Sequence, residues 1–307
     1  MIDSQTYYSH GKLLITGEYL VLLGAMALAI PVKYGQSLTV NTGIDKSQII
    51  WIAKEMNKTW FEATLALNDL SVITSSDDEV GSRLQLLLRS ARELNPAFLS
   101  KPVQVETDIN FPRSWGLGTS SSLTANVATW AGVDPFQLNW KVSSGSGYDV
   151  ACALHSLPII YQVVDKIPKV EQVSFYPAFH EQLYFVYLGE KQDSAKSIAD
   201  FFLVHQDWSE SIRQISQITL DISRSTDLFS FMKLVEQHEN ILSLVLQVPT
   251  VKQTLFSDFK GAIKSLGAWG GDFILAASPS SPEDIFHYFQ SRDYVVIYRF
   301  TDVFIHH

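Results

Sequence analysis

Cysteine is almost missing from this 307-residue chain: Cys152 stands alone, which excludes an internal disulfide and a zinc site built on thiolates. A reducing compartment, the cytoplasm, is the home this implies. Positive charge is also scarce, with 23 Lys and Arg against 32 Asp and Glu and a net charge of -9. A broad face for nucleic acid needs the opposite sign, so no nucleic-acid partner is expected. A small anion held by a few local donors is still allowed. Repeats and low-complexity stretches are absent, and so is a membrane-length apolar run. The segment "YLVLLGAMALAIPV" has Glu18 at its entrance, no basic cluster before it, and too few residues to cross a bilayer. It reads as buried core, and no membrane partner is expected.

What is present is a globular composition, 46% hydrophobic and 18% charged. A chain of this length commonly divides into two domains. "KLLITGEYLVLLGAMALAIPVKYGQSLTV" reads as short apolar strands with Gly17 and Gly24 in turns. "SQIIWIAKEM", "KTWFEATLAL" and "PVQVETDI" read as antiparallel strands. Leu84, Leu87, Leu88, Ala91 and Leu94 fall at helical spacing. A strand at "LPIIYQVVD" closes the first half, and the turn-rich "KIPKVEQVSFYPAFHEQ" marks a boundary between residues 1–165 and 166–307. Beyond it come strand "LYFVYLG", helices "DWSESIRQISQITLDIS" and "DLFSFMKLVEQHENILSLVL", strand "DFILAAS", helix "SPEDIFHYFQS" and strand "DYVVIYRF". The alternation lacks repeated βα units, so the class is α+β in two domains.

The richest local chemistry is "PRSWGLGTSSSLTANVATW", where Gly116 and Gly118 precede four hydroxyl side chains and a helix. The glycines permit positive φ and close backbone approach, and the helix start offers unpaired N–H groups and a positive dipole end. Thr119, Ser120, Ser121 and Ser122 add donors or a magnesium hydroxyl. A loop ending in a serine cap explains one hydroxyl, not four. The lysine of a Walker A motif is missing. Two further stretches bear on the question. "GSGYDVACAL" puts Asp149 at a helix start, where a helix cap is the plainer role. "KSLGAWGGDF" is a second glycine turn, read as joining a helix to a strand, with Lys264 just upstream.

Taken in order, three motifs resemble those of the GHMP kinases, the superfamily of galactokinase and of homoserine, mevalonate and phosphomevalonate kinases. They are Gly11-Lys12 with Gly17-Glu18-Tyr19 and the run to Pro31, then Gly116-Leu117-Gly118-Thr119-Ser120-Ser121, then Gly267-Ala268-Trp269-Gly270-Gly271. "GYDVA", from Gly147 to Ala151, falls where the family carries its catalytic Asp, and the pattern is most similar to the mevalonate and phosphomevalonate branch. The resemblance implies an N-terminal α/β nucleotide-binding domain, a ferredoxin-like C-terminal domain, and ATP with Mg2+ as cofactors.

It also implies roles. Residues Trp115, Gly116, Leu117, Gly118, Thr119, Ser120, Ser121 and Ser122 would wrap the ATP phosphates, with Ser120 the metal or phosphate hydroxyl. Asp149 would polarise the acceptor hydroxyl, and Lys12 would sit beside it, favouring its ionised form. Gly147, Tyr148, Gly267, Ala268, Gly270 and Gly271 would line the acceptor side, joined by Ser194 and Lys196 of "EKQDSAKSI". Glu18 reads as a buried partner for a turn. Three departures stand out: His10 where the family often has proline, Trp269 in place of a glycine, and no magnesium-binding Glu before Asp149. Only Asp134 lies in that stretch, at a different spacing. A phosphotransferase for a mevalonate-like or phosphomevalonate-like acceptor, a diphosphomevalonate-type decarboxylase and a ligand sensor without turnover all fit. Trp60 and Trp208, read as exposed, are the candidate surface for a homodimer.

Overall fold

The computed structural model describes residues 4–42, 47–189, 201, 207–267 and 272–305. Contacts divide the chain into two compact units. The first comprises Met1–Gly11, Tyr34–Arg113 and Leu117–His155; the second comprises Lys12–Lys33, Ser114–Gly116 and Ser156–His307. The units therefore interleave along the chain instead of dividing it near residue 165. Two long strands run from one unit into the other: β1 (Ser4–Leu14) and β2 (Ala27–Thr42).

In the first unit, β3 (Gln48–Glu55), β4 (Lys58–Ala66), β5 (Val72–Ser75) and β6 (Val103–Ile109) join the C-terminal part of β2 in the order β5-β4-β3-β6-β2. All these pairings are antiparallel except β3 with β6, which run parallel from Ile49↔Val103 to Glu55↔Ile109. Burial alternates along β3 and β6, so one face carries the core. Trp51, Phe61, Leu65 and Val105 from that face pack against Leu84 and Leu88 of α1 (Asp78–Leu94), Val127 of α2 (Thr119–Ala131) and Leu138 of α3 (Pro135–Val142). Helix α1 starts firmly: the Asp77 side chain accepts from the Glu79 and Val80 N–H groups. A short helix, α4 (Tyr148–Ala153), packs on α2 through Ala125, Val150 and Ala153.

In the second unit, the N-terminal part of β2 pairs with β7 (Ile159–Val164), and β7 pairs with β8 (Ile167–Gln172), both antiparallel. Strand β8 lies inside the stretch read as a turn-rich connection. The segment Leu20–Leu23 is a 3₁₀ turn rather than a strand, because Gly24 at φ 94 ends it after one turn. A four-stranded antiparallel sheet follows, built from β9 (Leu183–Tyr187), β10 (Ala262–Ser265), β11 (Phe273–Ala277) and β12 (Ile297–Arg299) in the order β10-β11-β9-β12. Helices α5 (Ser209–Ser223), α6 (Leu228–Leu246) and α7 (Val251–Leu255) lie between β9 and β10. Helix α8 (Pro282–Gln290) lies between β11 and β12, and the short α9 (Phe300–Val303) follows at once, cutting short the strand expected at "DYVVIYRF". This β-α-β-β-α-β succession with that strand order is ferredoxin-like. Strand β11 is buried at all five positions, which is why it reads as a continuous apolar run.

The glycine turn at Gly267 thus joins two antiparallel strands, β10 and β11, not a helix to a strand. Neither candidate interface tryptophan is a bare surface ring. Trp208 is 8% exposed and packs with Ile215 and Leu242, while Trp60 carries the Arg113 guanidinium over its face at 3.6 Å. No helix among the described residues is long and apolar enough to cross a membrane.

Candidate active site

In the first unit, α2 begins behind Gly118, which sits at φ 89, ψ 48, a left-handed conformation natural to glycine. Unlike α1, it has no side-chain cap. The first bond of the helix runs from Ser122 N–H to Gly118 O, so the N–H groups of Thr119, Ser120 and Ser121 precede the intrahelical ladder. The four hydroxyls divide by helical phase. Ser121 donates to Gly118 O at 2.9 Å, and buried Ser122 donates to Gln36 Oε1 at 2.8 Å. Asn126 locks the same Gln36 by donating to its backbone oxygen and accepting from Ser9 Oγ. Thr119 and Ser120 are half-buried and exposed, with no side-chain hydrogen bond among the described residues. These two are free to meet a ligand. Leu117, 2% exposed, anchors the loop.

Asp149 is the second residue of α4, behind Gly147 at φ 91. Its Oδ1 accepts from Val150 N–H at 3.0 Å, and the N-cap is Gly147, so Asp149 is not the helix cap. It is half-buried, in the first turn of the helix. Gly147 is buried and Tyr148 half-buried beside it.

The second unit holds Lys12, Trp115, Gly116 and Gly267. Lys12 is 9% exposed, which excludes a solvated surface lysine; its Nζ donates to Gly116 O at 3.1 Å. Gly116 sits at φ 65, and a Cβ there would collide with the Asp272 carboxylate. Trp115 packs edge-on against Phe273 at 5.8 Å and Tyr298 at 5.6 Å. Asp272, 8% exposed, is a residue that sequence reading passed over; its only signal was its place directly after the third glycine motif. Gly267 stands at φ 74 at the hairpin's exit. Ala268, Gly270, Gly271, Trp269, Ser194 and Lys196 lie outside the described residues.

Beneath the turn after β1 lies a sealed group of ionisable side chains. Lys264 Nζ, wholly buried on β10, meets Glu18 Oε1 at 2.5 Å and Glu239 Oε1 at 3.0 Å, and donates to Ser265 O. Gly17 N–H donates to His238 Nε2 at 3.0 Å, which places the imidazole proton on Nδ1. Glu18 Oε2 stands 3.5 Å from that same Nε2. Burial pushes Glu18 up to about 7 against the pull of Lys264, and raises Glu239 likewise. Burial also drives His238 well below its ordinary value, with Lys264 adding to the effect. Desolvation alone would lower Lys264, but the two glutamates outweigh it and raise it. The arrangement is a buried lysine between two carboxyl groups, both raised by their burial. Glu18 is buried, as its sequence position indicated, but its side chain meets Lys264 on β10 and not the turn.

The fit to a metal is limited. Among the described residues no group of three or more His, Cys, Asp or Glu side chains is arranged to hold an ion. Asp134 is committed as the cap of α3, accepting from Gln137 N–H at 2.8 Å. A magnesium ion arriving with nucleotide phosphates needs few protein ligands, and the outward Ser120 hydroxyl suits that role.

No protein-family model matches the sequence, and no curated protein matches it either. Solved structures do. Methanococcus jannaschii mevalonate kinase superimposes with a TM-score of 0.71 at 14% identity, covering 99% of each chain. Streptococcus pneumoniae phosphomevalonate kinase, in complex with phosphomevalonate and AMPPNP, gives 0.71 at 17% identity over 96% of this chain and 99% of that one. The fold is that of the GHMP kinases. Staphylococcus aureus mevalonate diphosphate decarboxylase shares it, with a TM-score of 0.63 at 11% identity over 95% of this chain and 93% of that one.

Proposed function

We propose that the chain is an ATP-dependent phosphotransferase acting on a small hydroxy acid or a phosphorylated acceptor of the mevalonate or phosphomevalonate kind. The observation that carries this reading is the start of α2: an uncapped helix end behind a left-handed glycine, with Thr119 half-buried and Ser120 exposed beside it. A phosphomevalonate kinase of the same fold binds AMPPNP and phosphomevalonate. The glycine loop, Trp115 to Ser122, holds the phosphates in this reading. Thr119 and Ser120 supply the side-chain donors, while Ser121 and Ser122 shape the loop from inside. Mg2+ neutralises phosphate charge when bound, with Ser120 as its protein hydroxyl.

Phosphoryl transfer demands positioning and charge stabilisation more than covalent chemistry. Asp149 accepts or polarises the acceptor hydroxyl proton. Lys12 contributes positive charge as the transferred group moves, and its bond to Gly116 O ties it to the loop. Gly147 and Tyr148, beside Asp149, line the acceptor side in this reading. The decisive experiment titrates ATP with and without Mg2+, then follows ADP formation across hydroxy-acid and phosphorylated acceptors. Acceptor-dependent ADP without CO₂ supports the kinase. ADP coupled to CO₂ release makes the chain a decarboxylase, and ATP binding without turnover makes it a sensor.

A further inference from the structure

We propose that the Glu18–Lys264 ion pair is a positioning device for the phosphate loop, acting through Gly116; this rests on the reading that the loop takes a nucleotide. The contacts form a closed circuit inside the second unit. Lys12 and Glu18 belong to one segment, the end of β1 and the turn after it. That segment is stiff: Ile15 N–H bonds to Leu28 O at 2.7 Å, and Thr16 Oγ1 accepts from Leu28 N–H at 3.0 Å and from Thr219 Oγ1 at 2.8 Å.

Lys264 and Asp272 belong to one hairpin, closed by Leu266 N–H on Phe273 O at 3.1 Å. Gly116 fills the gap between segment and hairpin. Its carbonyl is held by Lys12, and a Cβ added at Gly116 would collide with the Asp272 carboxylate. The ion pair fastens the same segment to the same hairpin at the far end of the circuit. It therefore sets the width of the gap in which Gly116, at the head of the loop, is seated.

Charge suits this task better than apolar packing. A hydrophobic contact of similar volume stabilises as well or better, but it does not fix direction. Lys264 Nζ is bound to Glu18, to Glu239 and to Ser265 O, so it cannot slide. Gly17 N–H on His238 pins the turn from the adjacent residue. Trp115, next to Gly116 and packed on Phe273 and Tyr298 of the same unit, reports the position of the loop head.

The test compares the full chain with Lys264→Met, Lys264→Arg and the Glu18→Gln/Lys264→Met pair. Two readouts are taken alongside the thermal melt. One is Trp115 emission, obtained by difference against Trp115→Phe in each background; the other is affinity for ATP with Mg2+. Folded Lys264→Met is expected to shift the Trp115 emission to the red and to weaken ATP binding about tenfold or more, since small misplacements of a site are costly. The paired variant also takes away the carboxyl group left without its lysine and so regains melting temperature, but neither the emission nor the ATP affinity returns with it. Lys264→Arg, which keeps the charge, retains part of both.

Unchanged Trp115 emission and ATP affinity in folded Lys264→Met or in the paired variant would overturn the proposal. So would recovery of both readouts in step with stability. Should Lys264→Met not fold, the paired variant and Lys264→Arg decide. An unsubstituted chain that binds no ATP defeats the nucleotide reading instead, and the Trp115 emission then decides the positioning claim alone.

Discussion

The start of α2 and the buried surroundings of Lys264 manage charge in opposite ways. At α2 no side chain caps the helix among the described residues, and its start offers backbone N–H groups beside half-buried Thr119 and exposed Ser120. Around Lys264 it supplies four ionisable side chains, none more than 3% exposed. The first arrangement leaves its N–H groups to water or to an anion from outside. The second must be complete in itself, because an uncompensated charge so far from water costs several kcal/mol. An open helix end therefore speaks for ligand binding, and a sealed ion cluster speaks for geometry.

That contrast can be broken or sharpened by experiment. The largest effect is expected on turnover at the open side: Asp149→Asn should cut ADP formation by about 10²–10⁴-fold, the usual contribution of a positioned proton acceptor, while nucleotide affinity measured by calorimetry holds. Normal turnover in this variant would remove Asp149 from the chemistry. Next comes the sealed side. Lys264→Ala leaves two buried carboxyl groups facing each other and should cost about 3–5 kcal/mol in urea unfolding. A loss no greater than that of an exposed lysine would mean the cluster is hydrated.

A pH series gives a smaller and more diagnostic effect. Folding raises Glu18 from 4.5 to about 7, so its contribution to stability falls as pH rises through that window. Burial lowers His238 below 6.5, so its contribution falls as pH drops through 6.5. The two slopes oppose one another between roughly pH 4.5 and 6.5, because folding holds a proton on the carboxyl and refuses one to the imidazole. Glu239, raised as well, adds to the Glu18 slope, and Lys264 stays charged throughout. Glu18→Gln should expose the histidine slope, making melting temperature climb more steeply with pH through 6.5 than in the unsubstituted chain. Identical profiles would show that Glu18 does not hold a proton. The smallest stability change belongs to Ser120→Ala, within about 0.5 kcal/mol because its exposed hydroxyl makes no hydrogen bond among the described residues, although ATP turnover should fall measurably. A large unfolding effect would make Ser120 a structural residue.

Much of the fold was legible because it is written in short-range pattern. Alternation marks β3 and β6, helical spacing marks α1, and the glycines at 116 and 118 announce the turn before α2. The candidate site was read from residue type and order alone. What escaped depends on partners distant in sequence. Lys264 carried no sign that its ammonium meets Glu18, 246 residues away, nor that β10 would bury it completely. The two inward serines at α2 escaped for another reason: four hydroxyls in a row look equivalent until the helix turns Ser121 and Ser122 toward Gly118 and Gln36. Strand β8 was missed because Pro168 and its polar neighbours lie on a solvent-facing strand, where apolar patterning is weak.

The interleaved make-up of the second unit has a consequence for how the molecule comes into being. Its segment Lys12–Lys33 leaves the ribosome long before Ser156–His307, with which it shares a core. During synthesis Glu18 must wait, uncovered, for a lysine that emerges near the end. A gene cut after His155 would therefore yield one half missing part of its interior and another carrying an orphaned strand.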